Sequence, residues 1–172
     1  MTRILLLALA LLATPASAAV EMSFWSHELE SVGPDIDYPH AFVLFSGTPD
    51  AGGRPVTGNY GFTAATISLA ILTGPVKGAI LSADKAYIAK SRRQLTLRLT
   101  DAQYASVRAA FARWKTVRGN SYDLENRNCV HFIAEMARAA GLAVPNDPSL
   151  VKKPSAFLSA LAAKNPGRTA AR

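Results

Sequence analysis

The chain of 172 residues contains a single cysteine, Cys129, so no disulfide within the chain can hold its fold together. Stability must come from a hydrophobic core. Once a signal-like N-terminus is set aside, about 150 residues remain, which is enough for one domain to bury such a core. The sequence therefore predicts one domain over residues 19–164, followed by a flexible tail over residues 165–172.

The N-terminal segment has the pattern of a secretory signal peptide. Arg3 precedes an apolar run over residues 4–13, and Ala16-Ser17-Ala18 supplies the small residues that a signal peptidase reads. The apolar run is too short to span a bilayer. Residues 1–18 are thus predicted to be removed during export, giving a periplasmic or secreted protein.

The apolar patterns after this segment predict an α+β fold, a small antiparallel sheet packed with helices. His40-Ala-Phe-Val-Leu-Phe45 is typical of a buried strand, and the segment from Val56 to Phe62 is a plausible antiparallel partner across a Gly-rich loop. Alternating leucines predict a strand over residues 95–99. The segments 79–81 and 86–89 are weaker strand candidates, and residues 63–72 fit either a helix or a strand.

Three helices are predicted in the C-terminal half. Thr100 and Gln103 have the spacing of a capping box, and aromatic residues at helical intervals follow them. A second helix begins at or near Cys129 and ends at Gly141, which suits a left-handed cap. Apolar residues at helical spacing after Pro154 predict a terminal helix.

Cys129 is a candidate nucleophile because it stands at a predicted helix start. The first backbone N–H groups of a helix have no partner within the helix, and they lie at the positive end of its dipole. They favour a thiolate and lower the thiol pKa. Two alternatives are a buried, inert cysteine and a thiol used for redox sensing or intermolecular pairing.

A thiol nucleophile also needs a nearby imidazole as its base, and the chain has three histidines. His131 lies two residues after Cys129, roughly 200° around the helix, which places it on another face. His40 heads a buried strand, which would fix the direction of its ring. His27 lies near the mature N-terminus, and His40 is the stronger candidate of the two.

These motifs together resemble a known group of enzymes. A histidine at the head of a buried strand, a later Asn59-Tyr60-Gly61-Phe62 and a still later Asn128-Cys129 opening a helix occur in the order found in circularly permuted papain-like thiol hydrolases. That group includes permuted NlpC-type amidases, PPPDE-like peptidases and lecithin retinol acyltransferase-like proteins. The resemblance covers roughly residues 39–145.

The resemblance implies a cysteine hydrolase or acyltransferase that acts on an amide or an ester. Cys129 would be the nucleophile and His40 the base. The third, orienting group would be Asn59 or Tyr60, with His27 or Glu28 as alternatives, and a dyad without a third group remains open. By fold analogy the first substrate class is a peptidoglycan peptide amide, followed by other peptides and acyl lipids.

The net charge and the residue composition limit the classes of partner that the protein is expected to bind. The net charge of +7, near +6 without Arg3, suits contact with an anionic cell envelope. Export and the lack of an interleaved basic and aromatic motif argue against nucleic acid. The histidines and the cysteine show no metal-ligand spacing, and no Gly-rich phosphate loop is present, so neither a metal nor a cofactor is predicted. The competing hypothesis is an inactive envelope protein that uses the same scaffold for binding or structure.

Overall fold

The computed structural model describes residues 20–28, 30–32 and 35–168, and its main sheet has five antiparallel strands. The strand order across this sheet is β6-β5-β4-β1-β7. The strands of the described chain are β1 (Val20–His27), β2 (Glu30–Val32), β3 (Asp35–Asp37), β4 (His40–Gly47), β5 (Val56–Ala64), β6 (Gly78–Leu81) and β7 (Arg92–Leu99), with β2 and β3 forming a separate hairpin. The predicted α+β class is confirmed.

Four α-helices accompany the sheet in the described residues: α1 (Lys85–Lys90), α2 (Asp101–Lys115), α3 (Cys129–Ala139) and α4 (Pro154–Lys164). The predicted capping box of α2 is present, because Thr100 accepts from the Gln103 N–H and Gln103 reaches back to the Thr100 N–H. Gly141 has φ +79°, as a left-handed cap requires. No described helix has both the length and the apolar character that crossing a bilayer requires.

The core lies between one face of the sheet and helices α2, α3 and α4. In β4 the odd-numbered residues Ala41, Val43 and Phe45 join this core, whereas His40 and Phe42 project from the opposite face. From α3 the core takes Phe132, Ile133 and Met136, which are fully buried. Successive residues of β4 thus lie alternately in the core and on the opposite face of the sheet.

Two elements differ from the sequence-based expectations. β1 was not predicted, although Val20, Met22 and Phe24 alternate and are buried, and it pairs with both β4 and β7. Residues 86–89 form helix α1 instead of the expected strand, because Asp84 accepts a hydrogen bond from the Tyr87 N–H and caps a helix there.

The two ends of the chain bear differently on the predicted boundaries. The signal-peptide prediction lies outside the described residues. Asn165, the first residue of the predicted tail, is buried, and its amide bonds the Ala143 N–H, the Ala143 carbonyl and the Leu161 carbonyl. Packing therefore extends to Asn165, and residues 169–172 lie outside the described chain.

Candidate active site

The sheet splits where β5 changes partner. The β4–β5 ladder ends at Val43 and Tyr60, and from Gly61 onward β5 pairs with β6. The first residues of β4 therefore have no partner on β5. This split gives the sheet an opening at the start of β4, which is where the sequence places His40.

A cavity of about 540 Å³ lies at this split. Its walls come from β4, β5, the segment after β5, α1 and the start of α3. The lining includes His40, Phe42, Gly61, Thr63, Leu81, Tyr87, Tyr122, Asn128 and Cys129. The volume falls in the range of roughly 300–1,000 Å³ that is common for small-molecule sites. The structure therefore brings Cys129 and His40, which are far apart in sequence, to one cavity.

Cys129 occupies the predicted position at the start of α3. Asn128 is the N-cap, and its Oδ1 accepts from the N–H groups of Val130 and His131. Its Nδ2 donates to the carbonyls of Leu124 and Val151. Asn128 thus caps α3, and its buried, fully hydrogen-bonded amide fixes the direction in which Cys129 enters the cavity.

The thiol of Cys129 is buried, and three backbone N–H groups act on it. Burial raises the pKa of Cys129 to about 11, while hydrogen bonds from the N–H groups of Ala41, Val130 and Cys129 itself act in the opposite direction. The expected lowering of the thiol pKa by the helix start is therefore wrong for this structure, because desolvation outweighs the backbone donors. The resting sulfur is a protonated thiol at neutral pH.

His40 lines the same cavity but is not paired with the thiol. Burial, with a smaller contribution from His27, lowers the pKa of His40 to about 4, so its ring is neutral at pH 7. The His40 ring has no part in the pKa shift of Cys129. The sulfur lies at the Ala41 N–H, whereas His40 projects from the other face with Phe42, at 6.3 Å between ring centroids.

Gly61 leaves the space that the His40 ring occupies. A Cβ atom built on Gly61 would overlap His40 Nε2 and would lie 3.2 Å from Phe42 Cβ. The imidazole thus reaches across the split toward β5. Only a residue without a side chain lets the ring lie there.

Asn59 does not reach His40. It pairs with Leu44, four residues along β4 from His40, and its amide holds the Ala83 backbone. Nδ2 donates to the Ala83 carbonyl at 3.0 Å, and Oδ1 accepts from the Ala83 N–H at 2.6 Å. The structure gives Asn59 a structural role in the cavity wall in place of the orienting role that the resemblance implies.

Tyr60 and His131 also have structural roles. The Tyr60 ring packs against Phe111 at 4.8 Å between ring centroids, on the core side of the sheet. His131 Nδ1 accepts from the Asn128 N–H at 3.2 Å and so closes the capping box of α3. The sequence-based exclusion of His131 as the base agrees with this position.

His27 is the polar side chain nearest in register to His40. The two residues face each other directly across β1 and β4, and His27 is completely buried. Its ring stacks on Tyr87 at 4.0 Å, and its Nδ1 lies 3.1 Å from Ser91 Oγ. Ser91 donates its own proton to the Tyr87 carbonyl, so it accepts from His27 Nδ1–H. This fixes the tautomer of His27 and makes it a candidate for positioning His40.

Tyr122 was not predicted to belong to the site. Its ring lines the cavity and is mostly buried, and burial together with the neighbouring Cys129 raises its pKa. The phenol therefore stays protonated and can donate a hydrogen bond near the sulfur. Its position seven residues before Cys129, in a loop, gave no periodic signal that would have marked it.

The described residues contain no group of three or more histidine, cysteine, aspartate or glutamate side chains placed to hold a metal ion. Comparison of the chain with models of protein families, with curated proteins and with solved structures finds no match. A function must therefore be argued from the chemistry of the cavity itself.

Proposed function

We propose that this protein is an exported cysteine hydrolase or acyltransferase whose nucleophile is Cys129 and whose base is His40. The observation that carries the proposal is the meeting of the only cysteine, a histidine and backbone donors at one cavity. Amide or ester cleavage by a thiol needs these three elements: a nucleophile, a base and donors for an oxyanion.

The reaction would start from a neutral thiol and a neutral imidazole. The sulfur attacks the substrate carbonyl while its proton passes to His40, and the carbonyl oxygen takes the electron pair as an oxyanion. When the tetrahedral intermediate collapses, the bond to the leaving group breaks and His40 returns the proton to that group. Water or another acceptor then cleaves the thioester, again with His40 as the base.

The two residues must approach each other for this step, since the resting His40 ring lies against Gly61 and Phe42. The ring stands at the first residue of β4, where the strand lacks a partner on the β5 side. A rotation of the side chain at this open end would bring the imidazole toward Cys129 without breaking the ladder with β1. His27 would hold the ring from the other side.

The oxyanion would be stabilised by groups that already surround the sulfur. The N–H groups of Ala41 and Cys129 are two candidates, and the Tyr122 hydroxyl is a third. Preorganised donors of this kind are worth about 10²–10³ in rate each. Replacing Tyr122 with Phe keeps the ring against Phe62 and removes only the hydroxyl, so it tests this role separately from packing.

A second candidate function is a binding module that has the cavity but no chemistry. The observation that favours it is the resting site itself, where a protonated thiol and a neutral imidazole are not paired. This alternative predicts ligand binding without covalent modification of Cys129.

The experiment that separates the two functions is a search for the acyl-enzyme. The protein is mixed with p-nitrophenyl acetate, and both the released nitrophenol and the intact mass are followed. The proposal expects a burst of nitrophenol with one acetyl group on Cys129, and no burst from Cys129→Ala. No acylation of Cys129, or equal nitrophenol release by Cys129→Ala, would contradict the proposal and favour the binding module.

Export is part of the proposal and has its own test. Intact-mass analysis of the protein from an envelope fraction is expected to show a mature chain that begins near Ala19 or Val20. A cytosolic protein that retains residues 1–18 would contradict export.

A further inference from the structure

The large hydrophobic residues that are exposed in the described part of the chain all lie at the cavity. They are Tyr38, Ile67, Leu69, Leu72 and Leu81, with 43–75% of their surface exposed, and we call them the cavity rim. Single exposed hydrophobic residues are ordinary, but a group gathered around one opening marks a binding surface. The rim therefore indicates that the cavity takes a ligand with an apolar part.

Two residues of the rim contribute little to the core. Leu69 and Leu72 belong to a short 3₁₀ helix, Leu69–Leu72, that buries none of its residues. The exposed fractions of the two side chains are 75% and 70%. Large aliphatic side chains placed in this way gain little from the fold of the monomer and are available to cover an apolar ligand.

Several polar side chains of the cavity wall already have partners within the protein. Asp84 caps α1, and Ser82 Oγ donates to the Asn59 carbonyl at 2.7 Å. Asn128 uses both its amide oxygen and its amide nitrogen, and Lys152 is paired with Glu125. A peptide substrate would need free donors and acceptors for its backbone. An aliphatic chain needs none, and the exposed apolar side chains of the rim offer it contacts, so the site suits an aliphatic chain.

We infer that the substrate is an ester of a long-chain fatty acid, with the aliphatic chain held by the cavity rim and the ester carbonyl at Cys129. This inference rests on the proposed function and selects its substrate class, acyl esters over peptidoglycan peptides. The rim and Cys129 line the same cavity, so one acyl chain can contact the rim while its ester lies at the thiol.

The first experiment measures binding without catalysis. Cys129→Ala protein is titrated with cis-parinaric acid, a fluorescent fatty acid, and dodecanoate serves as the competitor. The expected result is saturable binding at one site that dodecanoate displaces and acetate does not. The double variant Leu69→Ser, Leu72→Ser on the same background should bind at least tenfold more weakly, whereas Ala109→Ser, an exposed change on α2, should leave binding unchanged.

The second experiment measures chain-length preference with p-nitrophenyl acetate and p-nitrophenyl octanoate. Each methylene that the cavity buries contributes about fourfold. Octanoate has about six more methylenes than acetate, and burial of about three of them would raise wild-type kcat/KM on the order of 60-fold. Leu69→Ser, Leu72→Ser should remove most of this gain.

The outcomes separate this inference from the proposed function. Acetate turnover through Cys129 with no chain-length gain and no parinarate binding overturns the acyl-ester inference and leaves the proposed function in place. Saturable binding that the rim variant weakens, without acylation of Cys129 by any ester, supports the aliphatic-chain site and overturns the catalytic proposal. Binding that the rim variant does not change also overturns the inference.

Discussion

Two apolar regions of this protein are used in opposite ways. Between α2, α3 and the sheet, apolar side chains such as Phe132, Ile133 and Met136 are completely buried. At the cavity rim, Leu69 and Leu72 are mostly exposed, on a 3₁₀ helix that has no fully buried residue. The contrast teaches that apolar content alone does not identify the core, because one region stabilises the fold and the other is available to a ligand.

Polar groups in the core and at the cavity also differ in how they are used. Glu135 of α3 joins the two helices, since it accepts from Trp114 Nε1 at 2.7 Å and from Arg113 at 2.6 Å. At the cavity, by contrast, His40 is half-buried and Cys129 is buried, both have shifted pKa values, and they are not paired with each other. Satisfied polar groups mark the structural region, and titratable groups held in an unfavourable environment mark the candidate site.

The largest expected effect is the loss of stability caused by a substitution in the core. Phe132→Ala should reduce the free energy of unfolding by about 3–5 kcal/mol, because it opens a cavity in a fully buried site. Leu69→Ala should change the free energy of unfolding by no more than about 0.5 kcal/mol. Urea unfolding followed by circular dichroism measures both. Similar losses for the two variants would contradict the division between core and rim.

A smaller effect is expected from filling the space beside His40. Gly61→Ala places a methyl group in the split beside the imidazole and obstructs its rotation toward Cys129, so the acylation of Cys129 should slow by about 10²-fold. The matched control is Gly78→Ala, whose Cβ would lie 2.5 Å from the Phe62 ring and 2.7 Å from Ser121 Oγ. That control should lower stability while the folded fraction keeps its acylation rate. An unchanged rate in Gly61→Ala would show that the position of His40 is unimportant.

The smallest effect concerns pH. His40 has a pKa of about 4 in the folded protein and an ordinary value of 6.5, so the unfolded chain takes up a proton in this window and the folded chain does not. The free energy of unfolding that depends on neutral His40 is therefore fully present above about pH 6.5, and it falls as the pH drops toward 4. By pH 5 the loss amounts to about 2 kcal/mol.

Urea unfolding at pH 7 and pH 5 tests this dependence, with His40→Gln as the matched control. The wild type should lose about 2 kcal/mol more than the variant, since the carboxylates and His131 are present in both. Equal losses in the two proteins would mean that His40 titrates near its ordinary pKa.

Much of the fold could be predicted because local chemistry determines it. The Thr100–Gln103 capping box, the start of α3 at Cys129 and the turn at Gly141 each depend on residues close in sequence. β1 was not predicted although Val20, Met22 and Phe24 alternate, since its place between β4 and β7 depends on pairing with residues distant in sequence. The helix at Lys85–Lys90 was missed because one capping residue, Asp84, decides it.

The candidate site was predictable only in part. Cys129 and His40 could be chosen from residue type and position, and both line the cavity. The place of Asn59 depends on the register of β4 and β5, and that of Tyr122 on a loop that returns to the cavity. The raised thiol pKa depends on burial, which emerges only when the sheet and α3 pack together.

The central claim is that His40 acts as the base for Cys129, and the pH dependence of Cys129 acylation by p-nitrophenyl acetate tests it most directly. The account predicts a wild-type rate that stays nearly constant from pH 8 to about pH 5 and falls near pH 4, where His40 becomes protonated. His40→Ala should be about 10²-fold slower or more at pH 7. Equal acylation rates in wild type and His40→Ala across this range would contradict the claim.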